Sequence, residues 1–159
     1  MASYNFKATY IVYATPEQVF EALTDSGIIG AWGGGLSVVE NKIGGVFEMF
    51  DSWVKGEITS YKPGQELGFT WKPEEWDKKT KPSEVMLKFK AHPAGTDVLI
   101  FHSEFPSQEE ATKTENGWID YVFDPINDYF TTPKEQRELA EENYDDDSIS
   151  NIKVVKFNH

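Results

Sequence analysis

The stretch that most constrains this chain is Ser107 to Phe130, SQEEATKTENGWIDYVFDPINDYF. Ser107 and Glu110 have the spacing of a capping box, in which each side chain satisfies an orphan backbone N–H at a helix start. Ala111, Thr114, Trp118, Tyr121, Val122, Ile126 and Tyr129 then recur at three- and four-residue steps, so they share one wide, aromatic helical face. Such a face predicts a long helix lying across a sheet. Gly117 weakens that helix by about 1 kcal/mol relative to Ala, which points to close backbone approach beside Trp118. Pro125 lacks an N–H and clashes with the carbonyl of Tyr121, which predicts a kink or break.

The preceding residues supply the sheet. Tyr4 to Tyr13 alternates, with Tyr4, Phe6, Ala8, Tyr10 and Val12 on one face. Thr15-Pro16-Glu17-Gln18 starts a short helix with a capping Thr, Pro at the first helical position and Gln at the third. A second short helix spans about Ile28 to Trp32. From Leu36 the period changes to two. Strands are expected over 36–40, 45–51, 53–61, 67–72, 83–91 and 96–105, and the short turns between them imply antiparallel pairing. Both faces of the last strand carry apolar residues (Val98 and Ile100 against Leu99 and Phe101), which predicts a central strand covered on both sides. The loop from Pro73 to Pro82 is charged, and its Trp76 reads as a lid or as packing at the sheet edge. After Phe130 a polar helix, an Asp145-Asp146-Asp147 run and a strand over Ile152–Phe157 are expected. That divides the chain into a domain over 1–130 and an extension over 131–159, with the last strand adding to an exposed sheet edge of its own subunit or of a partner.

Several function classes are excluded. A net charge of −12 over 159 residues opposes binding to nucleic acid or an anionic membrane. No run approaches the about 18 apolar residues of a membrane span, so no membrane insertion is expected, and the N-terminus has no signal-peptide pattern. A cytoplasmic location follows as the default. With no Cys and three scattered His, neither thiolate chemistry nor a metal site is expected. No cofactor is implied. Gly33-Gly34-Gly35 lacks the Lys-Ser/Thr and the strand-to-helix context of a phosphate loop. The Asp145 run lacks the spacing of a calcium loop.

One strand, two short helices, about six or seven antiparallel strands and a long helix make an α+β helix-grip order. The residues also carry a family likeness. Ala14-Thr15-Pro16-Glu17 with Val19-Phe20 and Leu23-Thr24 opens it, followed by Trp32, Gly44-Gly45 with Phe47, and Gly56-Glu57-Ile58. Leu67 with Phe69-Thr70-Trp71, Gly95-Thr96, His102 and Gly117-Trp118 complete it. This pattern resembles proteins similar to the C-terminal domain of the activator of the heat-shock protein 90 ATPase, in the START-like, birch-pollen-allergen-like superfamily. The resemblance covers roughly residues 4 to 130. Pro125 and residues 131–159 depart from it. It implies an elongated cavity between a curved sheet and the long helix, used in the superfamily for apolar ligands and in some members for cyclase or dehydratase chemistry.

The candidate cavity residues are Trp32, Phe50, Trp53, Trp71, His102, Trp118, Tyr121 and Val122, each of which taken singly reads first as plain core. Alternation with Val98 and Ile100 turns His102 inward, where it reads as a structural residue, a ligand donor or an acid/base. Glu48, Glu57, Glu104 and Asp120 are its possible carboxylate partners. Ser103 beside it is no dyad partner, because adjacent strand residues face opposite sides. The first expectation is a non-enzymatic protein that binds a hydrophobic or amphipathic small molecule. A chaperone cofactor is the second, and an enzyme using His102 the third. Monomer and homodimer are both left open.

Overall fold

The computed structural model describes residues 4–131. The polar helix, the acidic run and the strand over Ile152–Phe157 lie outside the described residues. The alternating segments form seven strands: β1 (Tyr4–Val12), β2 (Val38–Val39), β3 (Val46–Met49), β4 (Val54–Lys62), β5 (Glu66–Pro73), β6 (Ser83–His92) and β7 (Gly95–Phe105). They make one antiparallel sheet in the order β1-β7-β6-β5-β4-β3-β2. Helices α1 (Pro16–Thr24) and α2 (Ser26–Gly33) fill the connection from β1 to β2. The long C-terminal helix is α3 (Gln108–Gly117), a π-helical turn (Trp118–Phe123) and α4 (Asp124–Thr131) in direct succession. This is the helix-grip fold the sequence predicts.

One face of the sheet carries the core. Phe6 and Val12, Leu67, Phe69 and Trp71, Val85, Leu87 and Phe89, and Val98 and Ile100 are all buried there. They meet Val19, Phe20 and Leu23 of α1, Ile29 of α2, and Ala111, Trp118, Val122, Phe123 and Ile126 of the long helix. The expectation that β7 is covered on both sides fails. Its outer residues Leu99, Phe101 and Ser103 are partly or fully exposed, and Phe101 is shielded on that side by the Lys7 ammonium 5.4 Å from its ring centroid. Apolar residues on an outward face do not by themselves require a second layer.

Local chemistry sets the ends of the elements. Thr15 and Gln18 form a full capping box, with Gln18 N–H donating to Thr15 Oγ1 (3.2 Å) and Thr15 N–H to Gln18 Oε1 (2.9 Å). Only half of the second expected box forms: Glu110 N–H donates to Ser107 Oγ, but the Glu110 carboxylate accepts from the Trp76 indole instead. Trp76 is therefore half-buried packing that ties the 73–82 loop to α3. The strand expected over 36–40 shrinks to Val38–Val39, because Leu36 N–H donates to the Asp51 carboxylate at 2.7 Å and Leu36 C=O accepts from Asp51 N–H. Phe50, Asp51 and Ser52 all hold left-handed backbone (φ 56°, 59° and 66°), a conformation that costs non-glycine residues roughly 1–2 kcal/mol each. The bonds to Leu36, together with Ser52 Oγ–H donating to Glu48 at 2.6 Å, hold this turn. The turn presses the Phe50 ring toward α2 and Gly33.

Pro125 does not break the helix. The chain widens just before it, and Asp124 N–H reaches back five residues to the Ile119 carbonyl. The extra residue in that turn shifts the apolar phase. Phe123, outside the predicted face, is buried and stacks on Tyr10 at 4.6 Å, while Tyr121 is 67% exposed. Farther on, the Asn127 amide clasps the end of edge strand β1: Oδ1 accepts from Tyr13 N–H and Nδ2 donates to Ile11 C=O, both at 2.9 Å. Replacing it (Asn127→Ala) is expected to cost roughly 1–2 kcal/mol, read as a lowered urea midpoint. An unchanged midpoint would mean that water replaces both bonds without penalty.

Candidate functional site

A cavity of about 400 Å³ lies between the π-helical turn, the β4–β5 region and the end of α2. Three features of the sequence make it. The left-handed turn delivers Phe50, β5 delivers Trp71, and the wide helical turn holds Trp118 and Val122 over them. Phe50, Trp53, Trp71, Trp118 and Val122 line the apolar wall, and Tyr121 stands at its exposed margin. Six of the eight predicted residues thus meet around one space.

The other two stand behind it. Trp32 is buried, donates to the Ala22 carbonyl at 2.7 Å to join α2 to α1, and packs edge-on against Phe50. His102 is fully buried beneath Trp71 and Trp118, with ring centroids 5.6 and 6.1 Å away. Its Nδ1 accepts from Trp118 Nε1 at 3.0 Å. An indole N–H can only donate, so this bond assigns the proton to Nε2. Nε2–H then donates to Ser83 Oγ at 2.8 Å, and the Ser83 hydroxyl donates to the Trp71 carbonyl at 2.8 Å. The line Trp118–His102–Ser83–Trp71 uses both ring nitrogens and fastens two walls of the cavity to each other. Burial lowers the His102 pKa from 6.5 to about 3, so it stays neutral. None of Glu48, Glu57, Glu104 or Asp120 is hydrogen-bonded to it.

Sequence reasoning missed the rim and the voids. Glu75, Glu110 and Lys113 border the cavity, with Lys113 Nζ 4.0 Å from each carboxylate. Glu75 accepts from the Trp53 indole at 2.7 Å, and Glu110 from Trp76 at 3.1 Å. They sit in a charged loop and on the polar side of α3, where no apolar periodicity marks them. Gly117 also borders the cavity, but not for close backbone approach. A Cβ there would meet only the Tyr121 ring, at 3.8 Å, so what the glycine provides is empty space. Among the described residues no group of three His, Asp or Glu could hold a metal, and no helix is long and apolar enough to cross a membrane.

Comparison with known proteins places this geometry. Residues 13–131 match the family described as Activator of Hsp90 ATPase homolog 1-like protein. The activator of 90 kDa heat shock protein ATPase homolog 1 from Mus musculus is 26% identical over 124 residues, covering 78% of this chain and 36% of that protein. The Homo sapiens protein of the same name matches to the same extent. The chain thus spans about a third of the length of these curated relatives. The crystal structure of an HSP90 activator from Plasmodium falciparum superposes with a TM-score of 0.69 at 25% identity, covering 84% of this chain and 99% of that one. A Mesorhizobium loti protein shares the fold at a TM-score of 0.66 and 22% identity, covering 78% of this chain and 94% of that one. With most of its residues matched and the START-like fold around them, this chain belongs to the Activator of Hsp90 ATPase homolog 1-like family.

Proposed function

We propose that the protein binds a hydrophobic or amphipathic small molecule in the cavity between sheet and helix, and that it does so without catalysing a reaction. The observation that carries this reading is the space itself: about 400 Å³ walled by aromatic rings and margined by charge, within the size range of small-molecule sites. Its margin at Glu75, Lys113 and Tyr121 is exposed, which gives a ligand a way in. Chemistry through His102 is disfavoured, because the ring lies behind the wall with both nitrogens engaged.

Gly117→Leu is the discriminating variant. It removes a helix-interior glycine, which favours the helix by roughly 0.5–1 kcal/mol, and it puts a side chain into the cavity. Native mass spectrometry of the purified protein, before and after denaturing extraction, is expected to release an apolar molecule from the unmodified chain and none from Gly117→Leu. Equal loading of both proteins would place the molecule elsewhere and end the reading.

A second reading rests on the relatives' names, which make them activators of a heat-shock ATPase. The shared region is about a third of the mammalian proteins, so a chaperone contact is carried over only as a proposal. Stimulation of a heat-shock protein 90 ATPase by the purified chain would support it. Unchanged turnover, with no complex on gel filtration, would remove it.

A further inference from the structure

The charged groups at the cavity margin are held unequally. Glu75 Oε1 accepts from the Trp53 indole at 2.7 Å and Glu110 Oε1 from the Trp76 indole at 3.1 Å. Hydrogen bonds to an ionised acceptor are the strong ones, so both carboxylates are anchored. Lys113 is the one cation bordering the cavity among the described residues. Its Nζ lies 4.0 Å from each Oε2, beyond hydrogen-bonding distance, and its side chain is 61% exposed. Such a side chain swings into water at little cost, and the carboxylates do not follow it. The margin thus sets two positioned negative charges against one loose positive charge, on a chain whose net charge is −12. The wall points the same way for a separate reason. Phe50, Trp53, Trp71, Trp118 and Tyr121 surround the space, and aromatic faces attract cations where aliphatic walls would not. Trp53 joins wall to margin: it lines the cavity, is only half-buried, and is the ring bonded to Glu75. A hydrogen bond to an anion polarises the indole toward its face, which makes Trp53 the best cation partner near the mouth.

We infer that the ligand is a cationic amphiphile, whose apolar body fills the cavity and whose amine or quaternary ammonium group rests at the mouth near Trp53, Glu75 and Glu110. This rests on the binding reading above and gives the ligand a charge. The head group stays at the exposed margin, so the cation keeps part of its hydration and avoids the cost of burial. Attraction to the carboxylates acts across the width of the mouth and requires no direct contact. A carboxylate or phosphate amphiphile would instead bring its anion against two anchored carboxylates, with only Lys113 to offset them.

Three probes test this by titration calorimetry: 2-(1-naphthyl)ethylamine, 2-(1-naphthyl)ethanol and 1-naphthylacetate. They share one ring system and are positive, neutral and negative at neutral pH. The amine is expected to bind tightest and the acetate weakest, with roughly tenfold or more between them. Glu75→Gln and Glu110→Gln remove the charges while the amide oxygens still accept from the indoles. Each is expected to weaken the amine roughly three- to tenfold and to leave the alcohol within about twofold. Added salt should weaken the amine and not the alcohol. Amine and alcohol binding equally, in a Gly117→Leu-sensitive way and with no response to either Gln variant, would overturn this inference and leave the binding reading standing. Acetate binding tightest, and lost in Lys113→Gln, would overturn it in favour of an anionic amphiphile. Amine binding that ignores Gly117→Leu would be ion pairing at the surface and would overturn it too. If none of the three binds, both readings fall together.

Discussion

Acidification from pH 6.5 to 4 should strip on the order of 3 kcal/mol from the folding stability through His102 alone. The unfolded chain takes up a proton on this imidazole near its ordinary pKa of 6.5, while the folded protein resists until about pH 3 because burial disfavours the cation. Over that interval the unfolded state holds one more proton, so stability falls as pH falls, by about 1.4 kcal/mol per unit. Above pH 6.5 both states are neutral and this contribution is fully present. The ring's neighbours, Phe6, Trp71, Phe105 and Trp118, offer no charge to accommodate a cation, and protonating Nδ1 would expel the Trp118 N–H. Urea melts of the unmodified chain and of His102→Gln at each pH check this. The variant starts less stable, since it disturbs the bonds to Trp118 and Ser83, but its profile should be flatter by one proton. Parallel profiles would mean that another group controls the acid limb.

Gly56→Ala is expected to destabilise by roughly 2–4 kcal/mol, although a methyl group is all it adds. The backbone at Gly56 has no positive φ, so the penalty is purely one of space. An added Cβ would fall 1.8 Å from the Thr70 carbonyl oxygen and 2.7 Å from its carbon. Backbone cannot swing aside as a side chain can, so β4 and β5 would have to separate there. Glu57 N–H donates to Thr70 Oγ1 at 2.9 Å beside the contact, and Trp71 follows Thr70 directly. The same substitution should therefore shift the Trp71 wall of the cavity as well as lower the urea midpoint. A variant within about 0.5 kcal/mol of the parent, the scatter of neutral surface changes, would show that the two strands are not held in contact.

How much of this was legible in the sequence follows from what periodicity encodes. Alternation in 4–13, 67–72, 83–91 and 96–105 named the inward residues because a strand has only two faces. It could not say whether an inward residue meets a void or other side chains. Trp32 and His102 were accordingly grouped with the cavity residues and proved to stand behind them. Helical periodicity failed at one place. The step from Trp118 to Phe123 is five residues, which an α pattern reads as opposite faces and a π turn brings together. The proline signal was read correctly as a disturbance but not as a widening, because local sterics state what Pro125 forbids and not which geometry relieves it. Leu36 and Asp51 show the same limit. A side chain 15 residues away claims the Leu36 amide, and nothing near Leu36 announces it. Family resemblance, by contrast, rested on the order of many weak motifs, and the family match over residues 13–131 bears it out.

The widened turn has a genetic consequence. A π turn is an α turn carrying one more residue, and one residue is one codon. Gain or loss of a codon at this point can be absorbed as a change between an α and a π turn, so α4 keeps its facing and every strand keeps its register. A change of chain length, which elsewhere in a helix would turn everything after it by about 100°, is confined here to the residues of one turn.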